Sequence, residues 1–265
     1  MELEPQRTPL RLTVPEAIDA AGATGLADAL AEAQLAAQRP GGNGRVPPVI
    51  LSGRPGLFCR GLDLEKFLAG SSLPPDANAP VDAGAGLQAG VAAFARLLRA
   101  LREYPAPVLA AIDGAVLGGG IGVAAACDLV IATRRSSFGL PEGLFGLIPA
   151  VVLPVLQTRI SPARARLLAM TAYSRGADEA QALGLVDVVC ADEKLESAVN
   201  RSLRDVRRVQ GDAVAALKRF SAEIEGLPLS EGLERGVRET TATLSQPATL
   251  SAVRSFLAEG EAPWA

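Results

Sequence analysis

Apolar and polar positions follow two different periods along the chain, and the change of period divides it. Residues 9–14 (PLRLTV) alternate like a half-buried strand. Residues 47–53 (PPVILSG), 106–114 (APVLAAIDG) and 128–133 (DLVIAT) are short apolar runs of strand length, and SSFGL (136–140) and VDVV (186–189) read as shorter strands. Between them, 24–38 and 86–104 are Ala/Leu-rich and predict helices. From Ser161 the texture turns helical over 161–171, 176–185, 192–209, 211–227 and 248–260, with Ser, Asp or Gly at several cap-like starts. The pattern predicts an α/β core over 1–190 and a helical region over 191–265. Repeated strand–helix alternation favours right-handed crossovers and a ligand site where the loops cluster at one end of a sheet. No internal repeat is visible, and 71–86, rich in Pro, Gly, Asp and Ala, reads as a loop.

Composition narrows the function classes. A chain of 265 residues that is 49% hydrophobic can bury a substantial core. The formal net charge of −3 and 4% aromatic content offer neither a basic stripe nor stacking platforms, so nucleic-acid binding is not expected. The apolar runs are broken by Gly, Asp or Pro well short of the ~20 residues a membrane helix needs. The opening MELEPQRTPL has no apolar run of the kind a secretory leader carries. Cys59, Cys127 and Cys190, odd in number and in apolar surroundings, read as reduced thiols of a cytoplasmic protein.

One absence shapes the chemistry. The chain contains no histidine, so Ser-His-Asp and Cys-His catalysis, histidine-ligated zinc and histidine acid/base work are excluded. Protons must move on carboxylates, Lys, Tyr, Cys or water. No metal or redox cofactor is implied, since the ligand sets of zinc and iron–sulfur sites are missing.

Two glycine-punctuated turns lead from strands into helices, at 54–70 and 115–132. The second, AVLGGGIGVAAACDLVIA, permits three readings. Gly120 to Ala125 fits the weak G-x-G-x-x-A dinucleotide pattern, with Arg134 and Arg135 available for an NADP phosphate, although Glu142 lies one element too late for a ribose-binding acid. A P-loop is excluded, because no Gly-Lys-Ser/Thr follows. Alternatively, glycine at a helix mouth leaves backbone N–H groups free to stabilise an oxyanion. The third reading is that Gly118 to Gly122 only let a helix pack tightly on its strand.

The two turns together resemble the signature segments of the crotonase (enoyl-CoA hydratase/isomerase) superfamily. They stand here as Phe58-Cys59-Arg60-Gly61-Leu62-Asp63-Leu64 and as Gly114 through Ala132. Residues 136–150 resemble that family's glutamate-bearing turn, and 165–190 its helical stretch after the core. The resemblance implies a ββα spiral core with a helical C-terminal region. It further implies an acyl thioester whose carbonyl sits between the N–H groups of Leu62 and Gly119, with Glu142 as acid/base. Gly61, Gly118, Arg60, Asp63 and Lys66 are the neighbouring candidates for substrate contact. Asp63 also reads as a helix cap, and Arg54, Arg60 and Lys66 as cations for the thioester handle.

The resemblance is broken at one position. Hydratases of this family usually carry a second glutamate, which falls here on Gly122. One glutamate suffices for double-bond isomerisation, or for dehydration if the same carboxyl takes the α-proton and then helps the hydroxyl leave. GGGIGVAAACD (118–128) and EGLFGLIPAVVLPVL (142–156) resemble the single-glutamate dehydratases of polyketide β-branching, which act on 3-hydroxy-3-methylglutaryl groups carried by an acyl carrier protein. The expected substrate is an acyl-CoA or acyl-carrier-protein thioester, and the expected assembly a homotrimer or hexamer. An enoyl-thioester isomerase, a non-catalytic thioester-binding protein and an NADP oxidoreductase remain as alternatives.

Overall fold

The computed structural model describes residues 8–39, 45–63, 65–66, 84–209 and 211–260. They form two compact units, residues 1–202 and 203–265. The sequence pattern puts the boundary at 190. The units divide later, inside the helix that follows, on which Ala198 and Val199 are buried.

The first unit is built from a strand–strand–helix repeat that feeds two sheets. One sheet has the order β1 (Leu10–Thr13), β2 (Val49–Ser52), β4 (Val108–Ile112), β6 (Leu129–Thr133) and β9 (Val188–Cys190), all parallel. The other has the order β3 (Gly56–Cys59), β5 (Gly114–Leu117), β7 (Ser137–Gly139) and β8 (Arg175–Gly176), parallel except for its last pair. Strands β2, β4 and β6 of the first sheet are each followed within a few residues by a strand of the second (β3, β5 and β7), and helices α1 (Ala20–Gln38), α2 (Gly84–Glu103) and α3 (Gly119–Ala126) fill the crossovers. This is the ββα spiral the resemblance implies. It also explains why β3 and β5 escape a reading by pattern. Each lies directly after another strand, so 106–114 reads as one strand and 115–117 as the start of the glycine turn, although Asp113 and Gly114 turn a corner into a second sheet.

Burial follows strand position. Central β4 is buried at all five residues, as a parallel strand covered on both faces should be, whereas edge strand β1 alternates half-buried Leu10 and Leu12 with exposed Arg11 and Thr13. Helix starts are fixed by side chains. Asp19 accepts the Gly22 N–H at 2.7 Å to open α1, and Ser161 with Pro162 opens α5 (Pro162–Thr171), which follows the short α4 (Val152–Leu156). Helix α6 (Ala177–Leu183) ends on left-handed Gly184. The loop expected over 71–86 falls, through residue 83, outside the described residues.

Helix α7 (Leu195–Arg207) leads into the second unit, which holds α8 (Gly211–Ile224), α9 (Leu229–Leu244) and α10 (Pro247–Glu259). Helix α9 has no counterpart in the sequence reading. Gly232, Gly236 and three threonines lower its propensity, and only the spacing of Leu229, Leu233 and Val237 marks a helical face. Those three leucine and valine side chains are exposed within their unit, as are Val253, Phe256 and Leu257 of α10.

Arg159, 10% exposed, ties three segments of the first unit together. Its guanidinium donates to the Leu185 carbonyl at 3.0 Å, the Asp128 carbonyl at 3.0 Å and Asp187 Oδ2 at 2.8 Å, and that same carboxylate oxygen accepts the Val130 N–H. Losing such a donor set strands a carboxylate and two carbonyls and costs about 2 kcal/mol. Arg159→Ala should therefore lower the thermal midpoint by about 4–8 °C, measured by differential scanning calorimetry; an unchanged midpoint would show that water replaces these bonds without loss.

Candidate active site

Two strand-to-helix turns meet backbone to backbone. The first leaves β3 through Arg60 to Asp63 and is fixed from one side: Ile18 N donates to the Gly61 carbonyl at 2.7 Å and Asp63 N to the Ile18 carbonyl at 3.0 Å. This parallel bridge between Ile18 and Leu62 uses the groups flanking Leu62, so Leu62's own N–H faces the opposite side. The second turn leaves β5 through Gly118 into α3. Gly119 opens that helix, and its N–H has no carbonyl one turn earlier to donate to. Neither the Leu62 nor the Gly119 N–H has an acceptor among the described residues.

The absence of side chains at two glycines makes the meeting possible. Gly61 has a φ of +91°, and a Cβ there would stand 2.5 Å from the Gly119 nitrogen. Any side chain at 61 would therefore cover that N–H as well as strain the backbone. Gly118 has a φ of +53°, and a Cβ there would lie 3.2 Å from Glu142 Oε1 and 3.4 Å from the Arg60 carbonyl. The buried Cys59 thiol accepts the Gly61 N–H at 3.3 Å, and its pKa is pushed up to about 11 by burial, which keeps it a neutral thiol.

Glu142 reaches this junction from a third segment. Residues Pro141–Phe145 form a single 3-10 turn after β7, with Pro141 in its first position and left-handed Gly146 closing it. The Gly118 N–H donates to the Gly139 carbonyl at 2.9 Å, which ties the glutamate turn to the glycine turn three residues before Glu142. The carboxylate is half-buried, and its Oε2 is buried without a hydrogen-bond partner. Loss of hydration raises its pKa above the ordinary 4.5, only partly offset by a hydrogen bond to its own backbone. Beyond it the turn exposes Leu144, Phe145, Leu147 and Ile148, and α5, which packs on the turn, exposes Leu167 and Met170.

The structure thus brings together Leu62, Gly119, Gly118, Gly61 and Glu142. It places the other candidates differently. Asp63 Oδ1 accepts the Lys66 N–H at 3.1 Å, so its carboxylate caps the local turn. Lys66 Nζ lies 2.5 Å from Asp19 and 3.8 Å from Asp63, and Arg54 pairs with Glu16. Arg60 is exposed and has no ion-pair partner among the described residues. The cations suggested for a dinucleotide phosphate are also engaged, Arg135 with Asp113 at 2.7 Å and Arg134 with Asp178 at 3.1 Å, while Glu142 stands against Gly118 rather than at the end of β6.

Three segments that juxtapose unpaired backbone donors with one desolvated carboxylate form an arrangement that can polarise a carbonyl and move a proton. The enoyl-CoA hydratase/isomerase family matches residues 11–265, and the chain belongs to that family. Its function is of the hydratase/dehydratase type. Bacillaene synthase dehydratase PksH of Bacillus subtilis (strain 168) is 26% identical over 219 residues, 83% of this chain and 80% of that one. Carnitinyl-CoA dehydratase of Proteus mirabilis (strain HI4320) is 37% identical over 179 residues, which cover 66% of this chain but only 62% of that enzyme. Among solved structures, Pseudomonas aeruginosa AtuE superposes with a TM-score of 0.81 at 30% identity, covering 98% of this chain and 97% of that one. An enoyl-CoA hydratase of Mycobacterium smegmatis, at 22% identity, shares the fold with a TM-score of 0.82 over 96% of this chain and 94% of its own.

The raised pKa of Glu142 makes a stability prediction. The folded chain holds this proton more tightly than the unfolded chain does. Stability is therefore lost as pH rises from the ordinary carboxylate value through the raised one. Glutamine carries no charge to desolvate. Glu142→Gln should raise the thermal midpoint at pH 8, and the gain should vanish near pH 4, where both chains are uncharged at this position; equal midpoints at pH 8 would contradict a desolvated carboxylate.

Proposed function

We propose that this protein is an acyl-thioester dehydratase/hydratase in which Glu142 is the only acid/base. The observation that carries this reading is the half-buried carboxylate of Glu142 against the glycine turn, its Oε2 buried without a hydrogen-bond partner, with no second carboxylate at position 122.

The chemistry follows from what a thioester needs. Removing its α-proton near neutral pH requires that the enolate oxygen meet preorganised donors, and two backbone N–H groups cost no reorganisation when charge develops. In this reading the thioester oxygen accepts hydrogen bonds from Leu62 and Gly119. The Glu142 carboxylate takes the α-proton, and the electron pair of the broken C–H bond moves onto the carbonyl oxygen. The same carboxyl, now neutral, gives its proton to the β-hydroxyl as the C–O bond breaks. The enolate pair returns to form the C=C bond, and water departs. Because one carboxyl serves both positions it acts on one face, so elimination is syn. Hydration is the reverse. The raised pKa suits a group that must hold the proton between the two steps.

The substrate is a 3-hydroxyacyl thioester on coenzyme A or an acyl carrier protein, and a 3-hydroxy-3-methylglutaryl group in polyketide β-branching is the specific assignment. It is supported by the resemblance of 118–128 and 142–156 to that branch and by similarity to a bacillaene synthase dehydratase. Of the candidate cations Arg54, Arg60 and Lys66, Arg60 is the one without an ion-pair partner among the described residues, and it would meet the acidic handle. Assembly as a homotrimer or hexamer is supported by exposed apolar residues on the Glu142 turn and, separately, on α9 and α10. No helix among the described residues is long and apolar enough to cross a membrane.

Turnover of 3-hydroxyacyl and 3-enoyl thioesters, on coenzyme A and on a carrier protein, tests the reading. Loss of water is expected from the former. Migration of the double bond in the latter without any dehydration would select the isomerase instead. Glu142→Gln should lower the rate ~10²-fold or more, and a rate within threefold of wild type would remove Glu142 from the mechanism. The dehydration rate of the wild-type protein should climb with pH along an ionisation above 4.5, the ordinary carboxylate value, because proton removal starts from the carboxylate.

A further inference from the structure

The position of the missing carboxylate is not an empty space. Helix α3 is buried at every residue, and Gly122 lies one turn beyond Gly118 and Gly119. A Cβ at Gly122 would stand 3.3 Å and 3.5 Å from the two terminal methyls of Leu98 and 3.3 Å from a methyl of Val152. Both neighbours are core residues, 1% and 3% exposed. One turn before Leu98 on α2, Phe94 makes the equivalent contact with Gly119, its ring tip 3.0 Å from where a Cβ would be. Helix α2 thus lays a two-residue apolar ridge, Phe94 and Leu98, along the glycine face of α3, and Val152 at the start of α4 closes the other side. The three atoms nearest a Cβ at position 122 are all methyl carbons, so a side chain starting there meets apolar neighbours first.

We propose that Leu98 and Val152 determine the reaction type of this site, by filling the volume a second carboxylate would need and so confining proton transfer to Glu142. The inference rests on Glu142 being the acid/base. It makes the single-glutamate chemistry a property of three packed residues rather than of one glycine. Restoring glutamate at 122 alone would press its side chain against the methyls of Leu98 and Val152 from the Cβ outward. Phe94 fixes the start of the same helix, and so the Gly119 N–H, from the same ridge.

A double-mutant cycle tests this through a change of sign. In the wild-type background Leu98→Ala opens a cavity and should lower the thermal midpoint. In the Gly122→Glu background it should raise the midpoint, because it makes room for the new side chain. If Gly122→Glu alone yields no folded protein, recovery of soluble folded protein by Leu98→Ala is the same reversal. The single variant Gly122→Glu should dehydrate the 3-hydroxyacyl thioester at least about tenfold more slowly than wild type. The double variant should regain rate and show a second ionisation in its pH–rate profile. Leu98→Ala lowering stability in both backgrounds would overturn the proposal. So would a Gly122→Glu single variant that keeps the wild-type midpoint and gains the second ionisation without any change at Leu98. Glu142→Gln measured alongside separates the two ideas. If that variant keeps its rate, the Glu142 mechanism fails, while the midpoint cycle still reports whether Leu98 and Val152 occupy the position.

Discussion

The site depends on a contact between two backbones. Gly61 and Gly119 approach so closely that a Cβ on the first would stand 2.5 Å from the nitrogen of the second, and no side chain fits between them. Everything the proposed chemistry uses is arranged around that junction. The repeat of strand, strand and helix delivers β3 and β5 side by side, in register from Gly56 against Gly114, so that the turns leaving them meet at the same end of the second sheet. The bridge to Ile18 spends the groups on either side of Leu62 and turns its N–H away. The helix rule that leaves the first amides of α3 unpaired does the same for Gly119. Two donors are therefore oriented by hydrogen bonds they do not themselves make.

The carboxylate shows the opposite economy. A buried oxygen with no partner is unfavourable in a folded protein, and Glu142 Oε2 is in that state, held by a proline-initiated turn and by the Gly118–Gly139 hydrogen bond. An unsatisfied, desolvated carboxylate destabilises the resting chain and improves the base, which is the trade expected where acid/base chemistry is done. The surroundings of position 122 make the complementary point. There methyl groups of Leu98 and Val152 stand 3.3–3.5 Å from where a Cβ would be. One carboxylate is kept in an unfavourable setting, and apolar side chains crowd the place proposed for another.

Much of this was legible in the sequence, for reasons that differ from residue to residue. Glu142, the glycine turns and the gap at Gly122 lie in short local motifs, where a turn or helix mouth needs particular residues at fixed spacing. The long central strands were legible because burial on both faces leaves continuous apolar runs. The corner strands β3 and β5 were not, because period alone cannot show a chain passing from one sheet to another across Asp113 and Gly114. Helix α9 was hidden by its glycines and threonines. Asp63 reads as a cap along the chain and caps its own turn, whereas Lys66, which looks like a cation for a ligand, is engaged by Asp19, 47 residues before it. The ridge of Phe94 and Leu98 on Gly119 and Gly122 left no local signal, since it arises only when two helices distant in sequence pack together.

The central claim is that Leu62, Gly119 and Glu142 together generate a thioester enolate. Exchange of the α-protons of a saturated acyl thioester with deuterated water isolates that step, because such a substrate has no hydroxyl to lose and no double bond to move. Followed by proton NMR with butyryl-CoA, the protein should catalyse exchange, and Glu142→Gln should slow it by ~10²-fold or more. No exchange above the uncatalysed rate, or exchange that persists unchanged in Glu142→Gln, would contradict the account.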